Sequence, residues 1–402
     1  MRKSCRLAQK TALLVAAAGA LLAPGFARAD CPAANRYSFS FANQAAATLS
    51  YGSSYTYTAT STALGNQNVT VSWQTNGVSS SVVANIQLPA ISNLVTDGVA
   101  TENLVVGGIF NARTADIGAG TNVIVTTITF PVPIRDFTIQ LNDVDYASNQ
   151  FRDWLRVVGT NGGQSYTPEM TTPFTNNNTG GATTDASSTV EFGPRATAPI
   201  LTAQDVAGNA ASGNNSNNGT LTAVFPQPVT QVQLRYGNYP LMSGETTTGQ
   251  QAFGIQSLSY CPMPQVTVVK SATPYATGAT DPLRFDIPGS DVVYSLTVSN
   301  SNSSPVDVGS LQLTDLLPAT MTFFNGDIDG TGPLTTNFEF VPGSSGMSLS
   351  SSNLAYSSNG GSSYAYTPAA GYDASVNGVR FAPQGAMAAN SSFTIRFRTR
   401  IR

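Results

Sequence analysis

The sequence predicts an all-β fold, built as two β-sandwich domains. Short segments alternate polar and apolar residues with a period of two, which places one side chain in the core and the next in solvent. Thr, Val, Tyr and Ile dominate these segments, and Gly, Asn and Ser separate them. The clearest examples are "YSFSFA" (37–42), "SYTYTAT" (54–60), "NVTVSWQ" (68–74), "TNVIVTTITF" (121–130), "TLTAVF" (220–225) and "QVQLRYG" (231–237).

The chain opens with a segment that is typical of a cleaved signal peptide. A basic start is followed by the apolar run "TALLVAAAGALLA", and "FARA" places small residues before Asp30. The apolar run is too short to span a bilayer, so we expect residues 1–29 to be removed after Ala29. The sequence shows no second apolar span. It therefore predicts an exported protein, secreted or held at the cell surface, without membrane insertion.

Two cysteines remain after this processing, because Cys5 is lost with the leader. Cys31 and Cys261 would meet in an oxidising compartment, and we expect them to form a disulfide. The bridge would close a loop of about 230 residues, which contributes roughly 5 kcal/mol in the chain-entropy account of disulfides.

The charge composition narrows the possible functions. The leader holds five of the 19 basic residues, so 14 basic and 22 acidic residues remain and the net charge becomes −8. Lys270 is then the one lysine, and the chain contains no histidine. Nucleic acid, which needs clustered basic residues, is not an expected partner. Histidine-based nucleophilic catalysis is excluded.

Two segments interrupt the strand pattern. Residues 160–220 are rich in Asn, Thr, Gly and Ser, which predicts long surface loops. "YCPMPQ" (260–265) carries two prolines after Cys261, and we place a domain boundary at 262–264. Residues 30–262 are predicted to form a jelly-roll-like β-sandwich and residues 263–402 an immunoglobulin-like one. Within the first, "FPVPI" (130–134) and "FPQPV" (225–229) are each interpreted as an edge turn that leads into a core strand.

The second predicted domain carries a connected set of motif residues. "VTVVKSATP" (266–274), a Pro-Gly turn, a strand that ends in Asn, and "TDLLP" resemble the bacterial conserved-repeat surface domain, known as domain of unknown function 11. The matching residues are Lys270, Pro274, Pro288, Gly289, Tyr294, Asn300, Asp315, Leu317 and Pro318. The resemblance implies an immunoglobulin-like sandwich of exported bacterial proteins, with no chemistry attached. We expect Asn300 to cap a strand end and Asp315 to accept backbone amides.

The first predicted domain concentrates acidic residues in "NDVDYASNQFRD" (142–153), where Asp143, Asp145 and Asp153 fall within eleven positions. The order of strand, Asp-x-Asp, short loop and Asp before a strand resembles secreted jelly-roll-like β-domains of Gram-negative bacteria. Three interpretations stay open: a catalytic carboxylate pair, a calcium site that uses these aspartates with Asn142 and Asn149, or a hydrogen-bonded turn.

In the third of these interpretations, Arg135 or Arg152 would pair with the aspartates. A second cluster, "NGDIDGTG" (325–332), is interpreted either as another calcium site or as a simple turn.

These observations favour an exported bacterial surface or extracellular protein with a structural or adhesive role and no catalytic activity. Its expected partners are surface glycans or other extracellular proteins. One alternative is a carbohydrate-binding module with a calcium-assisted site in the first domain. A second alternative is a hydrolase that uses the aspartates of that domain.

Overall fold

A computed structural model describes residues 31–44, 47–174, 189–192, 201–239, 248–275, 287–302, 304–330 and 335–402. The predicted all-β fold is confirmed, because the regular structure of these residues consists of strands and a few short helical turns. Helical structure in this part of the chain consists of 3-10 turns at Ala33–Asn35, Phe41–Asn43 and Ser351–Asn353. Within it, no helix is long and apolar enough to cross a membrane. The predicted signal peptide at 1–29 lies outside the described residues.

The strands that precede residue 263 belong almost entirely to one extended, antiparallel sheet; β5 and β6 pair only with each other. Its longest path runs β14-β15-β11-β17-β9-β3-β2-β1-β18-β8-β4. The strands are β1 Tyr37–Ser40, β2 Ser54–Ser61, β3 Gly65–Asn76, β4 Val78–Ser80, β5 Val82–Val83, β6 Ile86–Gln87, β7 Ala90–Ser92, β8 Asn103–Phe110, β9 Val123–Asn142, β10 Tyr146–Ala147, β11 Phe151–Asn161, β12 Gln164–Tyr166, β13 Glu169–Thr171, β14 Val190–Phe192, β15 Asp205–Gly208, β16 Leu221–Phe225, β17 Val229–Asn238 and β18 Gln250–Pro262.

Strand β9 organises this sheet because its two halves pair with different neighbours. Residues 123–129 pair with β3 and β17, whereas residues 137–141 pair with β16 and β18. Pro131 and Pro133, which lack amide donors, lie where the neighbours change. Asp136 follows them with a φ of 54°. The edge turn predicted at 130–134 is therefore wrong, because that motif lies inside a continuous strand. The matching motif at 225–229 does connect two strands, β16 and β17.

The core of this part of the chain lies along the inward face of the strands. Trp73, Phe137 and Tyr236 are among its fully buried rings. The predicted disulfide is confirmed: Cys31 and Cys261 are bonded, with their Cα atoms 6.2 Å apart. The bond joins the residue that precedes the first 3-10 turn to the end of β18.

The strands from residue 266 onward form separate sheets. One has the order β19-β20-β27-β22-β25 with β23 also on β27, and the other has the order β21-β26-β24. Leu296, Phe381 and Phe397 lie in their common core. The strands are β19 Val266–Pro274, β20 Asp291–Asn300, β21 Leu313–Leu316, β22 Met321–Asn325, β23 Phe338–Val341, β24 Leu354–Ser357, β25 Gly371–Asp373, β26 Gly378–Phe381 and β27 Ser391–Ile401.

The connection between the two sets of strands is hydrogen-bonded on both sides. The amide of Met263 donates to the carbonyl of Pro133 at 2.8 Å, and its own carbonyl accepts from the Asn302 side chain at 2.5 Å. Arg135 Nη2 lies 3.1 Å from Asp307 Oδ2, which adds an ion pair across the connection. Every strand pairing among the described residues joins strands on the same side of residues 263–265. The two domains, and their jelly-roll-like and immunoglobulin-like topologies, stay predictions.

Candidate functional site: a buried aspartate cluster

Asp143, Asp145 and Asp153 lie where β9 ends and the hairpin of β10 and β11 begins. Asp143 follows the last residue of β9 and has a φ of 64°, a left-handed conformation that Asp and Asn adopt more readily than most residues. This turn directs Val144 into the core, where it is fully buried. The backbone geometry thus places Asp143 and Asp145 on either side of a core residue.

Asp145 and Asp153 face each other across the hairpin. The amide of Asp153 donates to the carbonyl of Asp145 at 3.0 Å, and the amide of Asp145 donates to Oδ2 of Asp153 at 3.1 Å. Oδ1 of Asp153 accepts the Tyr236 hydroxyl at 2.5 Å, and Oδ2 of Asp145 accepts the Ser212 amide at 2.7 Å. The cluster therefore joins β11 to β17 and to the loop after β15.

Two glycines let neighbouring backbone approach this turn closely. A Cβ atom on Gly208 would collide with the carbonyl of Asp145, and one on Gly219 would lie 2.9 Å from the amide nitrogen of Val144. The carbonyl of Gly219 accepts that amide at 2.9 Å. The turn is consequently closed on this side by backbone, which leaves no room for a side chain.

Burial dominates the electrostatics of the cluster. Asp143, Asp145 and Asp153 are 6%, 4% and 0% exposed. Burial, followed by the charge of Asp145, raises the pKa of Asp143 to about 8. Burial raises the pKa of Asp145 to about 6, although its hydrogen bond from the Ser212 amide acts in the opposite direction. Oδ1 of Asp143 is buried and has no hydrogen-bond partner among the described residues.

Asp153 is the most deeply enclosed of the three. Burial and the charge of Asp145 raise its pKa well above the ordinary value, and the hydrogen bonds from Tyr236 and from the Asp145 amide oppose that rise. Burial and the neighbouring Asp153 also raise the pKa of the Tyr236 hydroxyl. Asp143, with a pKa of about 8, thus holds a proton near neutral pH, whereas Asp145, with a pKa of about 6, binds one only in mildly acidic conditions.

The arginines that the sequence offered as partners pair with other acids. Arg152 is buried and its Nη2 lies 2.6 Å from Oε2 of Glu191, while Arg135 pairs with Asp136 and with Asp307. The expectation that they would neutralise the aspartate cluster is therefore wrong. Glu191 lies on β14, far away in sequence.

The other proposed ligands lie apart from one another. Asn142 is buried, where its side chain accepts from the Thr220 hydroxyl at 3.0 Å and donates to Gln256 at 2.8 Å. Asn149 is exposed in the turn between β10 and β11. Within the described residues, no group of three or more His, Cys, Asp and Glu side chains is arranged to hold a metal ion. Calcium binding by Asp143, Asp145 and Asp153 stays a prediction.

The motif residues of the second predicted domain have structural roles. Asn300 accepts the amides of Gln265 and Asn302 at 3.3 Å, as expected for a cap at a strand end. Asp315, which was expected to accept backbone amides, instead lies in β21 and accepts from Lys270 Nζ at 2.7 Å. The lysine also lies 4.0 Å from the centre of the Tyr294 ring.

The second acidic cluster forms a turn. The amide of Asp329 donates to Oδ1 of Asp327 at 3.2 Å, and the amide of Gly330 donates to the Asp327 carbonyl at 3.3 Å. This geometry is the turn that was one of the two interpretations of "NGDIDGTG". Residues 331 and 332 at its end lie outside the described residues.

Several members of the buried cluster were not found from the sequence. Tyr236 and Ser212 contact it through the fold, and Gln251 lies against the Tyr236 hydroxyl, where it lowers the pKa of that group. A tyrosine at an inward position of a strand needs a hydrogen-bond partner for its hydroxyl, which was the signal available for Tyr236. Nothing in the local sequence indicates which acid supplies that partner.

No model of a known protein family matches this chain, and a search of curated proteins found no match. The resemblances to the conserved-repeat surface domain and to Gram-negative jelly-roll-like domains therefore stay predictions that rest on the motif residues.

Proposed function

We propose that the protein is an exported bacterial surface or extracellular protein with a structural or adhesive role and no catalytic activity. The observation that carries this proposal is the enclosure of Asp143, Asp145 and Asp153. A general acid or base must come within hydrogen-bond reach of its substrate. All three carboxyl groups instead lie in the interior, where Asp153 accepts from the Tyr236 hydroxyl and the Asp145 amide, and Asp145 accepts from the Ser212 amide.

The disulfide supports the exported location. Such bonds persist in the periplasm and outside the cell, whereas reducing systems keep thiols free in the cytosol. A structural role also fits the low content of charged residues. The chain contains 10% charged residues.

The hydrolase alternative can be tested directly at Asp145. If the buried acids only hold the turn, the mature chain should hydrolyse neither glycosidic nor ester substrates, and Asp145→Asn should leave that background unchanged. Turnover that disappears in Asp145→Asn but persists in Asp116→Asn would contradict the proposal. Asp116 is a suitable control because it lies in a loop outside the cluster.

Localisation and attachment test the remainder of the proposal. The full chain and a variant that lacks residues 2–29 would be expressed in a Gram-negative host, and fractions would be probed with an antibody. We expect the full chain outside the cytoplasm and the shortened chain inside it.

Surfaces coated with purified mature protein should then retain more bacterial cells than surfaces coated with albumin. Cytoplasmic retention of the full chain, or equal cell retention on both coatings, would contradict the proposal.

A further inference from the structure

A groove crosses the outward face of the first sheet. Its volume is about 530 Å³, within the range of roughly 300–1,000 Å³ that is usual for small-ligand sites. Residues of β1, β2, β9, β16 and β18, together with Gln44, line it. It is separate from the aspartate cluster, which faces the interior.

Strand register makes the polar lining continuous. Ser38 pairs with Thr60 on one side and with Ser259 on the other, and Ser40 pairs with Ser257. Across the next strand, Ser259 pairs with Thr138 and Ser257 pairs with Gln140. Because side chains at directly paired positions lie on the same face, hydroxyl and amide groups run side by side across four strands, and Thr222 on β16 extends the row.

The lining is polar and neutral. None of the described residues that line the groove is charged, and its two apolar members, Phe39 and Leu258, belong to the core on the opposite side of the sheet. A Ser or Thr hydroxyl both donates and accepts hydrogen bonds, and a Gln amide does the same with two different atoms. The chemistry that matches this surface is a neutral ligand with many hydroxyl groups.

Polar contacts hold two positions of the groove in place. The Gln140 side chain donates to Oε1 of Gln256 at 2.7 Å and to Oδ2 of Asp97 at 3.3 Å. On the opposite side, Arg36 Nη1 lies 3.4 Å from Oγ of Ser259 and 3.1 Å from the carbonyl of Asp136. Groups that are fixed before binding lose less conformational entropy when a ligand arrives.

We propose that this groove binds a segment of a neutral glycan. The inference deepens the adhesive role proposed above and rests on it, since it names the class of surface molecule that the protein contacts. An anionic polymer finds no cation among the lining residues, and the guanidinium of Arg36 beside Ser259 already donates to the Asp136 carbonyl. A peptide finds neither an exposed apolar pocket nor a free sheet edge there. Recognition proceeds through hydrogen bonds from hydroxyl and amide groups, without a stacking ring.

The test uses two threonines of the same strand. Thr138 lines the groove, whereas Thr127 faces outward on β9 beyond the groove, and both are half-buried. Thr138→Leu removes a hydroxyl and fills part of the groove, and Thr127→Leu makes the same change outside it. The mature full chain and both variants would be applied to an array of neutral glycans that presents hexose, N-acetylhexosamine and deoxyhexose chains. The dissociation constant for the strongest glycan would then be measured by calorimetry.

We expect saturable binding by the unmodified chain, a loss of at least tenfold in affinity for Thr138→Leu, and a change of less than twofold for Thr127→Leu. Absence of binding to every glycan overturns the inference, as does an equal effect of both substitutions. Equal melting temperatures of the two variants exclude misfolding as the cause of a difference. If the protein retains cells but binds no glycan, the adhesive proposal stands and this inference alone fails.

Discussion

At the scale of single residues, the aspartate cluster shows how burial changes the meaning of an acidic motif. Asp143 is held in a left-handed turn with one carboxyl oxygen enclosed and without a hydrogen-bond partner among the described residues. An ionised group in that position is unfavourable, because the buried oxygen loses its hydration and accepts no hydrogen bond from a described residue. A bound proton removes the charge and the repulsion from Asp145 together. Protonation of Asp143 thus stabilises the folded cluster.

The stability of the protein should therefore rise as the pH falls from 8.5 towards 5. The pKa of Asp143 is about 8 and that of Asp145 about 6 in the folded chain, against about 3.9 for an unfolded Asp. Between about pH 4 and the folded-state pKa of each group, the folded state binds more protons than the unfolded state. The free energy of unfolding therefore falls as the pH rises, by up to about 1.4 kcal/mol per pH unit for each carboxyl group. Below about pH 4 this contribution ends, because both states are protonated. Melting temperatures measured in steps of half a pH unit would show the trend.

Asp143→Asn isolates the contribution of one carboxyl group. Asn tolerates the left-handed conformation and carries no charge, so the melting temperature of the variant should depend less on pH between 6 and 8.5. Asp136→Asn is the matched control, since Asp136 also has a positive φ but lies outside the cluster. A variant whose pH profile equals that of the unmodified chain would contradict the assignment.

The same series of melting temperatures, measured in calcium and in EDTA, tests the calcium prediction, which requires a higher melting temperature with calcium.

At the scale of elements, the turn after β9 depends on close approach by β15. The backbone of Gly208 lies against the carbonyl of Asp145, and the same glycine accepts a hydrogen bond from Nε of Arg152. A side chain at this position would push the two segments apart. This displacement would also disturb the ion pair of Arg152 with Glu191, because Arg152 donates to the Gly208 carbonyl.

Gly208→Ala should destabilise the protein by about 1–3 kcal/mol, as is typical when a methyl group is forced into a closed site. Gly213→Ala is the control, because its added Cβ would meet no atom within 4 Å. Urea unfolding followed by tryptophan fluorescence would measure both, since Trp73 and Trp154 are buried. Equal midpoints for the two variants would show that the contact between Gly208 and Asp145 does not constrain the fold.

The strands themselves were predictable, because alternation depends only on local sequence. "SYTYTAT" and "QVQLRYG" lie within β2 and β17 as expected. The surface loops expected over 160–220 are in part wrong, since Asp205–Gly208 is a buried strand that lies between β14 and β11 in the sheet. The strand has four residues and ends in a glycine, so it shows no clear alternation of polar and apolar residues. The proximity of Asp145 and Asp153 was also predictable because one hairpin joins them, whereas Tyr236 and Glu191 arrive through long-range pairing.

At the scale of the whole molecule, the disulfide ties the first residues of the described chain to the end of β18. The bond joins two residues that are 230 positions apart in the sequence. A cross-link of that span removes much of the freedom of the unfolded chain. Its contribution is therefore expected to act on the entire first set of strands.

Replacing both cysteines with alanine should lower the free energy of unfolding by about 2–5 kcal/mol, the usual range for a native disulfide. Chemical denaturation of Cys31→Ala/Cys261→Ala and of the unmodified chain would measure it. Intact-mass spectrometry of the unmodified chain should show two hydrogens fewer than the reduced form. Two thiols that react with an alkylating agent without prior reduction would contradict the bond.

Residues 264–402 should fold without the preceding part of the chain. Their strands pair only with one another among the described residues, and their core, which includes Leu296, Phe381 and Phe397, is their own. The contacts that cross the connection include the ion pair of Arg135 with Asp307, whose side chains are 11% and 29% exposed. The isolated fragment should therefore give a dispersed amide spectrum and a cooperative melting transition.

The matched control for this experiment is the full chain with Asp307→Asn, which removes the ion pair and keeps both parts. The variant and the unmodified chain would each melt in one transition or in two. A single transition indicates that the two parts unfold together, and two transitions indicate that they unfold separately. We expect the transition of residues 264–402 to occur within a few degrees in the fragment, the variant and the full chain, because their core is separate from that of the preceding strands. A fragment with a collapsed amide spectrum would show that the boundary at 262–264 is wrong and that the two sets of strands form one folding unit.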